Sequence, residues 1–435
     1  MLQVVLAVTA AFAFALPARA NVDIQEITSP GGIDAWLVEE HSIPFVALEL
    51  RFKGGASLDA PGKRGATSLM VNLLEEGAGD LDARAFARAT ESLAASFSFR
   101  ANDDSVSVSA KFLSENRGQA VALLRDALVN PRFDADAIER VRAQVISGIR
   151  SDLKDPDSIA GTKFAAMLFG DHPYGSNEDG TENSVSALAR DDLVAAHQAV
   201  LTRDRLFVSA VGDITADDLG RLLDSLLADL PETGAPQPSD VTPEFAGGVH
   251  VIDFDTPQSV VLFGQPGIGL DHPDFFAVYV LDTILGGSGL ESRLMREVRE
   301  KRGLTYGVYT YTVDKDHADY WMGSVASAND RVAETIDVIR AEWQKLRDTG
   351  ITQEELEDAK TYLTGAYPLR FDGNGPIANI TVNMQVSDMG IDYVATRNDR
   401  LNAVTLDDVN RVARELLDPD RLTFVVVGRP QGLSN

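Results

Sequence analysis

Hydrophobic and polar positions recur with two different spacings along the chain, and these spacings predict strands and helices. Short apolar runs such as "FVALELRF" and "RLFVSAVG" are typical of β-strands. Longer stretches such as "NRGQAVALLRDALV" and "ADAIERVRAQVISGIRSDL" place apolar residues three and four positions apart, which is typical of amphipathic helices. Because the two kinds of segment alternate, the pattern predicts an α+β fold in which helices pack on mixed or antiparallel sheets.

The chain also matches itself, because segments of its first half recur in the same order in its second half. The matching pairs are "LDAP" from Leu58 with "LDHP" from Leu270, "FDADAIERVRAQVISGI" from Phe133 with "ITQEELEDAKTYLTGAY" from Ile351, and "DRLFVSAVG" from Asp204 with "DRLTFVVVG" from Asp420. Matches in register indicate the internal duplication of an α/β unit. The predicted organisation is a signal peptide at 1–20, an N-terminal domain at 21–229, a Pro- and Gly-rich linker at 230–248 and a C-terminal domain at 249–435.

The charge balance limits the classes of partner. With 66 acidic and 39 basic residues, the formal net charge of -27 repels phosphate backbones and anionic lipid, so nucleic-acid and membrane-surface binding are not expected. Proteins and peptides are the expected partners. The chain contains no cysteine, which excludes disulfides, thiol catalysis and thiolate metal sites.

The first residues have the pattern of a secretory signal. "MLQVVLAVTAAFAFALPARA" is an apolar run that ends in Ala18-Arg19-Ala20, a small-x-small pattern that predicts cleavage before Asn21. We therefore expect a periplasmic or otherwise secreted protein. Since the run lacks a basic residue before its apolar part, retention of the segment as a membrane anchor is the alternative; no other stretch is long and apolar enough to span a bilayer.

Four segments together resemble one known family. They are "GGASLDAPGKRGATSLMVNLLEEGAGD" from Gly54, "FGDHPYGS" from Phe169, "TRDRLFVSAVGD" from Thr202 and "LGGSGLESRLMREVREKRGLTYGVYT" from Leu285. The chain resembles the pitrilysin/insulinase family of inverted zinc metallopeptidases, which includes mitochondrial processing peptidase. The resemblance covers nearly all of the chain after residue 20 and implies two homologous α/β sandwich domains that form one half of a clamshell.

The resemblance also shows which residues are missing. In that family a helix carries H-x-x-E-H, two zinc-binding histidines with a glutamate between them as general base, and a glutamate farther along is the third ligand. These positions fall at Ser68, Val71 and Asn72 within the predicted helix "GATSLMVNLLEEG", and at or beside Gly148. Serine, valine, asparagine and glycine cannot replace those ligands or that base, and no histidine has another three or four residues away. We therefore expect no metal in this chain.

The second half keeps a pair of residues that matches the family. Arg299 and Tyr306, in "REVREKRGLTYGVY", match an arginine and a tyrosine that in the family bind the substrate backbone and the oxyanion of the scissile carbonyl. The alternative is structural: Arg299 would belong to a charged helix face with Glu297 and Glu300, and Tyr306 to the core of a strand.

A glycine-rich segment, "GGSGLESR", precedes a predicted helix. It lacks the lysine and the spacing of a phosphate-binding loop. We interpret Gly286, Gly287 and Gly289 as residues of a tight loop. A weaker alternative is that their backbone approaches a bound peptide.

These features give two functional hypotheses. In the first, the chain is the metal-free subunit of a heterodimer whose homologous partner carries H-x-x-E-H and zinc, and the two close around a peptide substrate. In the second, the chain is a noncatalytic peptide-binding or scaffolding protein with a peptidase-like fold. Hydrolysis by this chain alone through another nucleophile has no support, because the sequence shows no G-x-S-x-G motif.

Overall fold

A computed structural model describes residues 22–287, 289 and 291–433 of the protein. The predicted signal peptide, 1–20, lies outside the described residues. The strands of the first half are β1 Gln25–Thr28, β2 Asp34–Glu39, β3 Phe45–Lys53, β4 Gly77–Ala78, β5 Leu81–Asp82, β6 Ser96–Ala101, β7 Ser105–Leu113 and β8 Leu206–Gly212. Its helices are α1 Ala66–Val71, α2 Ala83–Ser92, α3 Arg117–Val129, α4 Ala135–Asp152, α5 Pro156–Phe169, α6 Glu182–Ser186, α7 Arg190–Val200 and α8 Ala216–Leu227.

The second half repeats this plan. Its strands are β9 Gly248–Asp253, β10 Gln258–Pro266, β11 Thr305–Lys315, β12 Ala318–Ala328 and β13 Thr423–Gly428. Its helices are α9 Phe275–Leu285, the π-helix Met295–Glu300, α10 Val332–Thr349, α11 Gln353–Ala366, α12 Asn374–Val386, α13 Tyr393–Ala403 and α14 Leu406–Leu416. Short 3-10 helices span Ala56–Leu58, Ser114–Asn116, Pro173–Gly175, Arg203–Arg205 and Tyr367–Arg370.

The strand order confirms the internal duplication. The first sheet has the order β1-β2-β8-β3-β7-β6 and the second has β11-β12-β10-β13-β9. Read from the other end, the second order repeats the first without β1. In each sheet one pair is parallel, β2 with β8 and β9 with β13, and the other pairs are antiparallel. The predicted α+β class with two homologous domains and mixed sheets is therefore confirmed.

Apolar and polar side chains alternate along β7 of the first sheet. In β7, "SVSVSAKFL", Val106, Val108, Ala110 and Phe112 are buried in the hydrophobic core of the first half. The intervening serines and Lys111 project from the opposite face, because successive side chains of a strand point to opposite sides. This second face is polar along β7.

One helix of each half packs against the sheet of the other half. Phe164 and Leu168 of α5, from the first half, pack with Val260 of β10 and Val425 of β13. In the other direction, α12 lies against β3 and β8 of the first sheet. Each sheet thus has its own helices on one face and a helix of the other half on part of the opposite face.

The segment between the halves packs along this boundary. No helix or strand lies between α8 and β9. Within it, Val241 N donates to His317 O at 2.9 Å and Glu244 N donates to Leu168 O at 2.9 Å. Phe245 is buried and its ring lies 6.2 Å from the ring of Phe164. In the part of the chain that the structure describes, no helix has the length and apolar character needed to cross a membrane.

Candidate functional site

The helix that corresponds to the zinc-binding helix is α1. It begins after Gly65, whose left-handed φ of 95° favours glycine. Asp59 caps it, since its carboxylate accepts hydrogen bonds from the backbone N–H groups of Gly65 and Thr67, both at 2.8 Å. The α-helix ends at Val71, earlier than the stretch predicted to Gly77, because the backbone then changes to tighter bonds to residues three positions earlier.

The polar side chains at the zinc-ligand positions form hydrogen bonds with nearby residues of this chain. The Ser68 hydroxyl donates to Asp179 Oδ1, from the loop that follows the 3-10 helix Pro173–Gly175. Asn72 Nδ2 donates to Ser68 O at 3.0 Å. Val71 is buried, 2% exposed, and has no proton to exchange. These side chains serve the local structure.

The position of the third ligand has space but no ligand. Gly148 lies in α4, which packs against α1, and a Cβ placed on Gly148 would meet no atom within 4 Å. Within the described ranges, no group of three or more His, Cys, Asp or Glu side chains could hold a metal ion. The residues at this site therefore do not fit a zinc ion.

A cleft lies beside the same region. It has a volume of 1050 Å³ and opens between the end of α4, α5 and the loop that carries Asp179. Its walls include Ile149, Ile159 and Leu153, and Leu153 is 64% exposed. The space can accept apolar side chains of a bound chain.

Arg299 and Tyr306 form a contact on the surface of the second half. Arg299 lies on the π-helix Met295–Glu300, an irregular helix type that is frequent at functional sites. Its guanidinium carbon is 5.3 Å from the centre of the Tyr306 ring, within the range of a cation–π contact. Tyr306 is 89% exposed. The alternative interpretation, which placed Tyr306 in the core of a strand, is therefore wrong.

Glu297, on the same π-helix as Arg299, forms ion pairs with other cations. Glu297 pairs with Lys301 at 2.6 Å and with Arg302 at 2.8 Å, and these two cations lower the pKa of Glu297 to about 2. Among the described residues, no carboxylate lies within 4.0 Å of Arg299. The guanidinium and the exposed phenol thus remain available as hydrogen-bond donors.

Two further exposed tyrosines lie on the same strand as Tyr306. Tyr309 and Tyr311 of β11 are 43% and 45% exposed. They lie two residues apart, so their side chains share one face of the strand. The pairing of β11 with β12 shifts between Thr305 and Val308, an irregularity of the kind that re-aims side chains. Sequence reasoning missed these tyrosines, although their spacing beside the buried Val308 was a signal. Arg299, Tyr306, Tyr309 and Tyr311 are called the tyrosine surface below.

The glycine loop is packed at its beginning and open at its end. A Cβ on Gly286 would lie 2.6 Å from Thr310 Oγ1, and one on Gly287 would lie 2.7 Å from Thr283 Cα. Close packing therefore requires glycine at both positions. Gly289 has a φ of 141° and faces open space.

Comparison with known proteins agrees with these observations. The family model "Insulinase (Peptidase family M16)" matches residues 35–177, and "Peptidase M16 inactive domain" matches residues 187–363. The non-peptidase homolog YmxG of Helicobacter pylori is 27% identical over 89% of this chain and 90% of that protein. An uncharacterized zinc protease of Mycobacterium tuberculosis is 32% identical over 68% of this chain and 69% of that protein. The crystal structure of a peptidase M16 inactive domain from Pseudomonas fluorescens superposes with a TM-score of 0.87 and 28% identity, covering 95% of this chain and 99% of that chain.

Proposed function

The chain belongs to the insulinase family of peptidases, M16, as an inactive-type member, and we propose that it is the metal-free subunit of a periplasmic two-chain zinc metallopeptidase. In this proposal a homologous partner with H-x-x-E-H holds the zinc ion and the general base. This chain binds the peptide substrate and supplies Arg299 and Tyr306 to the oxyanion that forms at the scissile carbonyl.

The arrangement of Arg299 and Tyr306 carries the proposal. The Arg299 guanidinium, which has no carboxylate partner among the residues that the structure describes, lies over a phenol that is 89% exposed. Both groups donate hydrogen bonds, and donors that are already oriented stabilise the negative charge of a tetrahedral intermediate. The contact itself contributes little to folding, since cation–π contacts at exposed sites are worth about 0.5–1 kcal/mol. A ligand explains the arrangement better than stability does.

In this proposal the zinc ion and the general base must come from another molecule. Ser68, Val71 and Asn72 provide neither zinc ligands nor a general base. Donors to an oxyanion cannot cleave an amide without an activated nucleophile. A homologue with an intact motif, facing this chain, would complete the site.

The surfaces described above suit an extended peptide. β6 and β11 are edge strands of their sheets, and an edge strand presents unpaired backbone groups to an extended chain. β11 also carries the tyrosine surface. The location in the periplasm rests on the signal-like pattern of residues 1–20.

The second candidate is a noncatalytic peptide-binding or scaffolding protein. It is favoured by the name of one relative, a non-peptidase homolog, and by the local hydrogen bonds that Ser68 and Asn72 make. In this case the tyrosine surface binds peptide, but Arg299 and Tyr306 have no role in hydrolysis.

Hydrolysis of a quenched fluorescent peptide library separates the two candidates. We assay the mature chain alone, a zinc-bearing homologue alone, their mixture, and a mixture of that homologue with the Arg299→Ala/Tyr306→Phe variant. Bound zinc is measured in each sample. The matched control is Arg296→Ala/Tyr362→Phe, because Arg296 lies on the same π-helix and Tyr362 is 48% exposed on α11.

We expect hydrolysis only in the mixture, zinc only in the homologue, and a loss of at least about tenfold in kcat/KM with the Arg299/Tyr306 variant but not with the control. Equal activity of the variant and the wild type would leave the noncatalytic candidate. Hydrolysis by this chain alone would contradict both.

A further inference from the structure

Polar side chains from three neighbouring strands meet on the face of the first sheet that does not carry its own helices. The register places Arg51 of β3 opposite Ser107 of β7, and Ser107 opposite Arg100 of β6. It also places Lys111 opposite Ser96. These side chains line a pocket of 520 Å³ whose other wall is the beginning of α12. The pocket is called the α12 pocket below.

The charge of the α12 pocket is positive in an acidic protein. Its lining includes the cations Arg51, Arg100 and Lys111 and one carboxylate, Glu49. Arg51 Nη1 donates to Glu49 Oε2 at 2.9 Å, and both side chains are buried, so these two charges compensate each other. Across the described ranges, no carboxylate lies within 4.0 Å of Arg100 or Lys111. Two exposed cations remain without a partner in a chain of net charge -27.

The beginning of α12 adds donors that have no acceptor. Its N-cap, Gly373, provides no side-chain hydrogen bond. The backbone N–H groups of Asn374 and Gly375 donate to no atom of the described chain. Asn374 Nδ2 also lacks an acceptor there, although Asn374 is only 6% exposed. Uncapped N–H groups at the start of a helix form a binding site for anions.

Lys111 lies against this helix end. A Cβ placed on Gly375 would be 3.1 Å from Lys111 Nζ. The ammonium group therefore lies near the positive end of the helix dipole, and an anion beside both would offset the repulsion between them. An anion in this pocket would be attracted by Arg100, by Lys111 and by the uncapped N–H groups of α12.

We propose that the α12 pocket binds a carboxylate of the peptide. This inference rests on the proposed function, in which a peptide lies along this chain. The net charge of -27 disfavours polyanions such as nucleic acid and anionic membranes, whereas one local carboxylate is attracted by Arg100, Lys111 and the helix end. Ser96, Ser98 and Arg100 of β6 line the pocket, and β6 is an edge strand beside which an extended peptide can lie. The source of the carboxylate is an acidic side chain or the C-terminus of the peptide.

Calorimetric titration of the full chain with three synthetic peptides tests the proposal. The first peptide is acetylated, amidated and carries a central glutamate; the second has glutamine in its place; the third is the glutamine peptide with a free C-terminal carboxylate. The test variant is Arg100→Gln/Lys111→Gln, at two exposed positions. The matched control is Arg84→Gln/Arg88→Gln, which removes the same charge from exposed positions of α2.

We expect a peptide with a carboxylate to bind about tenfold more tightly than the neutral glutamine peptide at low salt. This preference disappears in the Arg100/Lys111 variant and persists in the control. A preference for the first peptide identifies an acidic side chain as the source, and a preference for the third identifies the C-terminus. Equal binding of all three peptides, no binding of any, or a preference that survives the test variant overturns the proposal. Because this measurement needs neither the partner nor hydrolysis, its failure is distinct from failure of the shared-site assay.

Discussion

Asp282 is a buried carboxyl group whose replacement by asparagine gives a quantitative test of the structure. Its Oδ1 accepts hydrogen bonds from Thr310 Oγ1 at 2.6 Å and from Trp321 Nε1 at 2.7 Å, and Asp282 is only 6% exposed. It thus joins α9 to β12 and to β11, the strand that carries Tyr306. Burial raises the pKa of Asp282 to about 6, although both hydrogen bonds act in the opposite direction.

The raised pKa makes stability depend on pH. The folded protein holds the proton of Asp282 more tightly than the unfolded chain, in which an aspartic acid has a pKa of about 3.9. The contribution of Asp282 is therefore fully present at low pH and is lost as the pH rises through about 6. The whole effect is about 3 kcal/mol; about 1.4 kcal/mol remains at a pH of about 5 and almost none at about 7.5.

Urea unfolding of the wild type and Asp282→Asn, followed by tryptophan fluorescence, measures this effect. Asparagine does not titrate, so the variant does not lose stability as the pH rises. The free energy of unfolding of the variant minus that of the wild type should therefore be about 1.4 kcal/mol higher near pH 7.5 than near pH 5. Any effect of replacing the carboxyl group by an amide that does not depend on pH cancels in this difference. Asp337→Asn, at an exposed position of α10, is the control. A difference below about 0.3 kcal/mol between the two pH values would refute the reasoning.

Two further predictions concern the glycines and the lost metal site. Gly148→Ala should stabilise α4 by about 0.5–1 kcal/mol, whereas Gly287→Ala should cost about 1–3 kcal/mol because its Cβ would lie 2.7 Å from a backbone atom of α9; thermal unfolding that ranks them the other way would contradict the packing described. Ser68→His/Asn72→His/Gly148→Glu should bind about one zinc ion per chain by metal analysis, and Gly148→Glu alone should bind none. A folded triple variant without zinc would show that α1 and α4 are not placed to share a metal.

The sequence predicted those features that depend on local pattern. The runs "FVALELRF" and "RLFVSAVG" predict strands, and they form β3 and β8. The recurrence of segments predicted a duplication, and the strand orders of the two sheets repeat. The resemblance identified Ser68, Val71 and Asn72 as residues without zinc chemistry, because that conclusion needs only residue types.

The features that depend on distant contacts were not predictable. Nothing in the sequence of α12 shows that it packs on the sheet of the first half, so Lys111 and Gly375 could not be placed together. Register determined that Arg51, Ser107 and Arg100 lie side by side. The exposure of Tyr306 depends on the irregular pairing of β11 with β12, which breaks the alternation that sequence reasoning relies on.

The two halves of this chain differ in the functional groups that they carry. The first half has no zinc ligands at the positions of the motif, and the second half carries Arg299 and Tyr306. The contribution of these groups to folding is small. The packing of α1 does not depend on zinc ligands, since Leu69 and Met70 are fully buried. Tyr306 and Arg299 add little to folding, because one is exposed and the other has no ion-pair partner in the described chain. Arg100 and Lys111 have no carboxylate partner in the described part of the chain, and they line the pocket beside the uncapped start of α12, where their charge does not stabilise the helix. Groups that stabilise the fold little and face outward are suited to contact a ligand. In our proposal this ligand is a peptide with a carboxylate, and the zinc ion that cleaves it belongs to a partner subunit.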